Sequence, residues 1–454
     1  MMRPMYEMLL AASGRGRFHM PGHKGSGPFG PVDFYALDTT ELPVTDDLYA
    51  AERGIAQAQE LCARAAGAGA TLMMHNGSSG GIHTMLQLWA GEGDTVLLPR
   101  NAHMSAVNGC VMGGLRVRWI PMTCREDGYC YIREEDVLAA MDRYPEARTV
   151  LLTRPDFYGC CLQLERIIAK AHEMGMKVVV DEAHGAHLPW LDGVSSAGAL
   201  GADAWVQSVH KTLPGLTGSA VLNLREEKDR DKALRLLRRG QTSSPSFVLL
   251  MSIDDGRADM EEMGAAELER ICARAEEIRS LLPSLGYADA HCGWQGLGLD
   301  FDPSRLVIGA PQGGKKLAAQ LREHGIDVEM NDDHRAVLIL SAMDTDEDFA
   351  ALRTALADIP ATKADIARKP QLPLLPRRVM EVRPAVMADC EPVPMDRAEG
   401  RIAASSAGLY PPGIPLICPG ECYSADILAL LQGAGNQQRS GTEGACVLCV
   451  TESV

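Results

Sequence analysis

Two stretches decide the fold: Lys177-Val-Val-Val-Asp181-Glu-Ala-His184-Gly-Ala-His187 and Trp205-Val-Gln207-Ser-Val-His210-Lys211-Thr-Leu-Pro-Gly215. Each opens with a short apolar run that ends on residues able to do chemistry. Runs without polar alternation are the pattern of strands covered on both faces. The same texture recurs on either side. Thr95–Pro99, 115–120, Thr149–Thr153 and Ala220–Leu224 are short and apolar, whereas 82–90, 102–112, Glu134–Arg143 and 164–174 have helical spacing. Strands alternating with helices predict an α/β fold with a mostly parallel sheet. Ligands of such sheets bind at the carboxyl ends of the strands, which is where Asp181 and Lys211 fall.

At 454 residues the chain is too long for one core. The reading divides it into an N-terminal arm (1–45), a large domain (46–258), a smaller α/β domain (259–365) and a Pro-rich linker with a C-terminal segment (366–454). In the small domain an amphipathic helix is expected over 262–282, with strands near 297–300 and 336–340. The tail from Gly433 reads as loosely structured. The net charge of −16 argues against nucleic-acid binding, which needs a basic footprint to displace counterions. No apolar run is long enough to span a membrane, and the N-terminus has no signal-peptide core. Thirteen scattered cysteines in so long a chain are not a disulfide scaffold, so reduced thiols and a cytoplasmic protein are expected. Cys446 and Cys449 form a CxxC without a second pair, which reads as incidental, and no metal site is expected.

Four pieces carry chemistry. Lys211 follows an apolar strand and precedes a Gly-rich turn, a place where a lysine of lowered pKa can form a Schiff base. Alone, it also reads as a solvated loop lysine. Asp181 ends a buried strand and needs a cationic partner there. A pyridinium nitrogen would serve, and a helix cap is the bland alternative. His184 lies three residues on. Asn76-Gly77-Ser78-Ser79-Gly80-Gly81 opens a helix, where free N–H groups and two hydroxyls suit a phosphate ester. His103, in Arg100-Asn-Ala-His103, sits past a strand end where a ring can stack on a flat cofactor. Asp181-Glu-Ala-His184 also spells a helicase box, but no GxxxxGK[ST] accompanies it. The order of phosphate loop, strand-end His, strand-end Asp and Lys is that of a fold-type I pyridoxal-phosphate enzyme.

The chain resembles the ornithine/lysine/arginine decarboxylase family. The resemblance rests on Phe18-His-Met-Pro-Gly-His-Lys-Gly25, Thr40-Glu-Leu-Pro-Val-Thr-Asp-Asp-Leu48, Asn76-Gly-Ser-Ser79, Arg100-Asn-Ala-His103, Asp181 to His187, Gln207-Ser-Val-His-Lys211, Ser243-Ser-Pro-Ser246, Tyr410-Pro-Pro-Gly-Ile-Pro-Leu416 and Pro419-Gly-Glu421. It implies an aspartate-aminotransferase-like fold and pyridoxal 5′-phosphate. Lys211 would form the Schiff base, Asp181 pair with the ring nitrogen and His103 stack on the ring. Gly77, Ser78, Ser79, Ser208 and His210 would hold the phosphate, with His184 beside the ring. Ser243 or Ser244 would reach the phosphate of a neighbouring subunit, because family sites lie at a homodimer interface. Glu421 would approach the substrate side chain.

The sequence departs from the family at several points. It begins close to HMPGHKG, as in a short form without the receiver-like domain. Met104 follows the stacking His, where Lys is common, and the cofactor loop is richer in Gly than usual. The implied reaction is α-decarboxylation of a basic amino acid, with arginine favoured over lysine or ornithine and a role in polyamine biosynthesis. The proton donor to Cα is His210 or Lys211. Two rivals stand. One is aminotransfer or another lyase reaction on the same cofactor, with Arg305 or Arg335 holding the substrate carboxylate. The other is a non-catalytic paralogue acting as a binding or regulatory subunit.

Overall fold

A computed structural model of the chain describes residues 15–25, 34–42, 44–363, 375–409, 414–434 and 439–451. The expected runs become a seven-stranded sheet: β1 (Ala70–Met74), β2 (Thr95–Pro99), β3 (Arg116–Ile120), β4 (Thr149–Thr153), β5 (Lys177–Asp181), β6 (Ala204–Gln207) and β7 (Ala220–Leu224). They lie in the order β1-β7-β6-β5-β4-β2-β3. Only β7 runs antiparallel to its neighbours. Successive side chains of a strand point to opposite faces, and both faces here are dry. Val96 and Leu98 pack with Ile82, Leu86 and Val107 on one side. Leu97 packs with Val137, Val150 and Ile167 on the other. That is why the strands read as unbroken apolar runs.

The helix Phe247–Asp259 passes through a π-turn, Met260–Gly264, into Ala265–Leu281. The expected helix over 262–282 is therefore the second half of one interrupted helix. Its partners change along its length. Leu250, Ile253 and Met260 pack with large-domain residues such as Val209 and Leu213. Ile271, Ala275 and Ile278 join the core of a second sheet. That sheet comprises β8 (Ala288–Asp289), β9 (Arg305–Gly309), β10 (Met330–Asn331) and β11 (Arg335–Ile339), in the antiparallel order β8-β9-β11-β10. The strand expected near 297–300 is not part of it. Leu299–Phe301 instead pairs with Cys160–Leu162 and ties the small domain to the large one.

The N-terminal arm is stitched to both domains. Gly16–Phe18 pairs in parallel with Ile326–Val328, and Phe18 is fully buried in the small-domain core. Four residues on, Gly22 N–H donates to the carbonyl of His210 at 2.8 Å. A Cβ at Gly22 would stand 2.6 Å from the Leu213 carbonyl oxygen, so only glycine brings the arm this close. Lys24 then threads inward and donates to the carbonyls of His19 and Ile339, with Asp344 3.8 Å away.

Two expectations about the C-terminal part and the cysteines are corrected. Residues 439–451 are not loose: Arg439–Ser440, Thr442–Glu443 and Cys446–Val450 are strands, the last pairing with Cys390–Pro394. Ile427, Leu431, Val447 and Cys449 share a core that holds this segment. Cys124 and Cys130 are joined in a disulfide, contrary to the expectation of reduced thiols throughout. They are opposite residues of the hairpin formed by Thr123–Cys124 and Cys130–Tyr131. Three residues apart on one strand, Cys446 and Cys449 point to opposite faces. Among the described residues, no group of three possible metal ligands is found. Pro411 and Pro412 lie outside the described residues.

Candidate active site

Asp181 ends β5 at the centre of the sheet, opposite Thr153 of β4 and Val206 of β6. Its side chain is 5 % exposed and accepts from the Ala183 N–H at 3.2 Å. It thus caps a turn, since no helix follows at once. Lys211 lies on the single helical turn Val209–Thr212 that leaves β6. Asp181 and Lys211 therefore rise from adjacent parallel strands at the same sheet edge, as their spacing predicts.

Burial pushes the Lys211 amine below its usual pKa, and Arg305 pushes the same way, while Asp181 and Glu329 oppose them. Its Nζ lies 3.1 Å from His184 Nε2. Burial, and next the Lys211 charge, hold His184 well below the ordinary imidazole pKa. A neutral imidazole can accept from the lysine only if its proton is on Nδ1. That Nδ1 is buried and has no hydrogen-bond partner among the described residues. The His184 ring also leans on Phe157, with centroids 4.7 Å apart.

His103 is placed by the start of the helix Met104–Gly113. As the N-cap residue it accepts from Ser105 N–H through Nδ1 at 3.2 Å, and Ser105 Oγ is 2.8 Å from the same nitrogen. Burial lowers its pKa, with Asp181 opposing and Lys211 assisting. The residue is thus both a helix cap and a neighbour of the Asp181–Lys211 pair.

The expected phosphate loop forms a cradle. Gly77 adopts a φ of 74° and donates to the Gly218 carbonyl at 2.8 Å. The helix Ser78–Leu88 starts with no side-chain cap, so its first amides face outward as donors. Gly81 lets this helix lie on the sheet, because a Cβ there would come within 2.6 Å of Val206; hence the Gly-rich loop. His210 Nδ1 lies 2.8 Å from the Ser219 carbonyl oxygen and donates to it. Burial lowers the His210 pKa. The hydroxyls of Ser208, Thr212 and Ser219 are buried without hydrogen-bond partners among the described residues. Uncapped amides and orphaned hydroxyls together fit a phosphate ester.

Ser243 and Ser244 are exposed, so they do not join this cradle. Their segment begins beside it, where Asn76 Nδ2 donates to the Gly240 carbonyl at 3.2 Å.

Glu421 requires a correction. The sequence reading puts it at the substrate, with a helix cap or a solvated position as alternatives. It is fully buried instead, 2.8 Å from Arg100 Nη2, and accepts from Cys418 N–H at 2.7 Å. Ser424 caps the following helix with its own hydroxyl. The turn through Pro415 and Pro419 carries Glu421 inward onto the end of β2, where it neutralises Arg100.

Two residues near Lys211 carry weak sequence signals. Arg305, the first residue of β9, is 1 % exposed, yet none of its three guanidinium nitrogens has a hydrogen-bond partner among the described residues. It bears electrostatically on Lys211, His184 and Asp302. Arg335, the other candidate for a carboxylate, is committed to Asp332 and Asp127 at 2.9 and 3.2 Å. Glu329 sits between Ile326–Val328 and β10 and bears electrostatically on Lys211 and His210. No motif marks it.

Comparison with known proteins points to one family. Residues 3–300 match the family model described as Orn/Lys/Arg decarboxylase, major domain, and residues 362–439 match the C-terminal domain of the same family. An arginine decarboxylase of Bacillus cereus is 32 % identical over 447 residues, covering 92 % of this chain and 97 % of that protein. The arginine decarboxylase of Bacillus subtilis is 32 % identical over 455 residues, covering 94 % and 92 %. Among solved structures, a Francisella novicida lysine decarboxylase superposes with a TM-score of 0.76 at 17 % identity, covering 89 % of this chain and 72 % of that one.

Proposed function

Since the chain belongs to the Orn/Lys/Arg decarboxylase family, we propose that it is an arginine decarboxylase whose lysine, Lys211, carries pyridoxal 5′-phosphate. The family makes it an amino-acid decarboxylase of the pyridoxal-phosphate-dependent fold type I, acting on basic amino acids. Arginine is favoured because four matching relatives, 31–32 % identical over most of their length, bear that name, and the expected role in polyamine biosynthesis follows from it. The single observation that carries the cofactor reading is the cluster of buried polar groups without partners: Ser208, Ser219, Thr212 and His184 Nδ1. Buried groups of this kind are rare unless a ligand completes them.

The amides of Ser78 and Ser79, with Ser208 and His210, would hold the phosphate. Asp181 would sit against the ring nitrogen, and His103 would cover the ring. When bound, the cofactor supplies an electron sink for the pair released as CO2 departs. The chain's own residues do the rest. The lowered pKa of Lys211 gives it a neutral, nucleophilic amine fraction. His184, neutral through burial, accepts from Lys211 and fixes the direction of its Nζ. Asp181 keeps a proton on the ring nitrogen by offering it a carboxylate in a dry setting. Lys211 or His210 returns a proton to Cα.

Among the described residues, Arg305 is the only buried arginine with all three guanidinium nitrogens lacking hydrogen-bond partners, and a substrate α-carboxylate would complete it. The same arginine would serve amino transfer, so that reaction is the second reading. The intact Asp181, Lys211 and His103 argue against a non-catalytic paralogue. Exposure of Phe34, Leu37 and Leu42 on the arm and of Ser243 and Ser244 supports a homodimer in which a neighbouring copy covers them and receives the serines. Among the described residues no helix is long and apolar enough to cross a membrane.

The deciding experiment measures CO2 release from arginine, lysine and ornithine by the cofactor-loaded protein, with keto acid added in a parallel reaction. Fastest release from arginine is expected. Keto-acid-dependent turnover without CO2 would instead establish amino transfer. Borohydride reduction should fix the cofactor on Lys211, and a label on Lys24 or Lys177 would end the assignment.

A further inference from the structure

A basic amino acid has a cation at its far end, and a site that selects it needs a carboxylate. With Glu421 sealed against Arg100, that group must be another. Asp181 lies against the sheet end, where the ring nitrogen requires it. Asp344 faces Lys24, and Asp302 is fully buried against His187 at 3.2 Å. Asp156 is held by the Tyr129 hydroxyl at 2.8 Å and by two backbone amides.

Glu329 differs from all of these. It is half-buried, and among the described residues it accepts one hydrogen bond, from Met20 N–H to Oε2 at 2.9 Å. The chain then turns so that Gly22, two residues on, bonds the carbonyl of His210. Two short bonds from one arm thus place Glu329 within a dipeptide of the Lys211 turn. Its own N–H donates to the Val337 carbonyl at 3.0 Å, which holds its backbone on the edge of β11. The basic groups on which Glu329 bears electrostatically are Lys211, Lys24 and His210. Lys24 is already paired with Asp344 and two carbonyls, and His210 with Ser219. In the functional reading above, Lys211 is taken by the cofactor. That leaves Glu329 with acceptor capacity and no committed cation.

We infer that Glu329 binds the distal cation of the substrate and so sets the preference for basic over neutral side chains. The inference rests on the decarboxylase reading and deepens it. Arg305 and Glu329 both bear electrostatically on the Lys211 amine with opposite charges, a pair complementary to an amino acid with an anionic near end and a cationic far end. Met20, by holding one oxygen, leaves the other free for the ligand and fixes the direction in which it points.

The test is Glu329→Gln in the holoenzyme, assayed with arginine and with citrulline, its neutral isostere. Wild-type protein should favour arginine strongly. In the variant the apparent KM for arginine should rise on the order of 10–100-fold, the worth of a hydrogen bond to a charged group, with a smaller change in kcat. The value for citrulline should move little, so the preference collapses. Calorimetric binding of the amine product of arginine and of uncharged pentanol gives a readout apart from turnover: only the first should weaken in the variant. Preference for arginine undiminished in a Glu329→Gln protein that still decarboxylates would overturn the inference and leave the decarboxylase reading standing. Wild-type holoenzyme that releases no CO2 from any basic amino acid would overturn that reading itself. Glu329→Asp should recover part of the preference; failure of both variants to retain cofactor would assign Glu329 to the framework and overturn its role in selection.

Discussion

Arg100 and Arg305 are both almost completely buried, and they are opposites. Arg100, at the end of β2, gives one nitrogen to Glu421 and the Leu416 carbonyl, another to Cys418 Sγ, and stacks 4.7 Å from the Trp119 ring. Arg305, at the start of β9, has no hydrogen bond to any guanidinium nitrogen among the described residues. A buried charge is costly unless it is paired. The first arginine meets that requirement within the fold and serves as a joint between the large domain and the C-terminal segment. The second leaves it unmet near Lys211, where His184 Nδ1 and the hydroxyls of Ser208, Thr212 and Ser219 also lack partners among the described residues. The satisfied arginine belongs to the framework, and the unsatisfied one lies where a ligand would complete it.

The sharpest way to break the contrast is to remove the satisfied arginine. Arg100→Met leaves Glu421 buried without its cation, and about 3–5 kcal/mol of stability should be lost, read as a fall in the urea midpoint. Arg100→Met combined with Glu421→Leu should recover much of that loss, because an apolar pair of similar volume tolerates the site. If the single variant is as stable as wild type, the joint is not what holds the C-terminal segment.

Removing the other arginine should act on the reaction. Arg305→Met should lower kcat/KM by about 100-fold through a raised KM. The melting temperature of the cofactor-free protein should stay level or rise, since a charge without partners is gone. A large stability loss with normal KM would make Arg305 a structural residue and erase the difference from Arg100.

The smallest effect concerns Lys211. Burial lowers its pKa, so in the fold its charged form is disfavoured. For a base with a lowered folded pKa, the cost is full below that value and vanishes above the unfolded value. Lys211→Met should therefore raise the melting temperature of the cofactor-free protein by about 1–3 °C near neutral pH. The gain should shrink as pH climbs toward the ordinary lysine range. A gain that is constant with pH would mean that packing, not charge, is responsible.

How much of this was legible in the sequence depended on whether the signal was local. The apolar runs at 95–99, 149–153 and 177–181 needed only their own residues to be read, and all three are strands of the large sheet. Lys211, Asp181 and His103 carry motifs, and the sheet brings them to one edge as expected. Glu421 misled because its motif is local while its partner, Arg100, is 321 residues away. Arg305 could be named as a candidate, yet only the tertiary surroundings separate it from Arg335. Glu329 follows no pattern and gains meaning from Met20, 309 residues distant. The strand at 297–300 was assigned to the wrong sheet for the same reason, since pairing partners are not encoded in the pattern of one strand. The tail after Gly433 has polar spacing that hides short strands until Cys390–Pro394 is present to pair with them.

The arm that carries Met20 and Gly22 has a consequence for biosynthesis. Residues 16–25 leave the ribosome early, but the strand they join, the carbonyl that holds Lys24 and the carboxylate that meets Met20 all lie beyond residue 325. Contacts of such long sequence separation form late in folding. The large domain can collapse on its own core while its first segment waits for roughly three quarters of the chain. A nascent chain stalled before residue 325 would therefore hold Lys211 on a formed sheet with the arm undocked, and selective chemistry would begin only after the small domain had emerged.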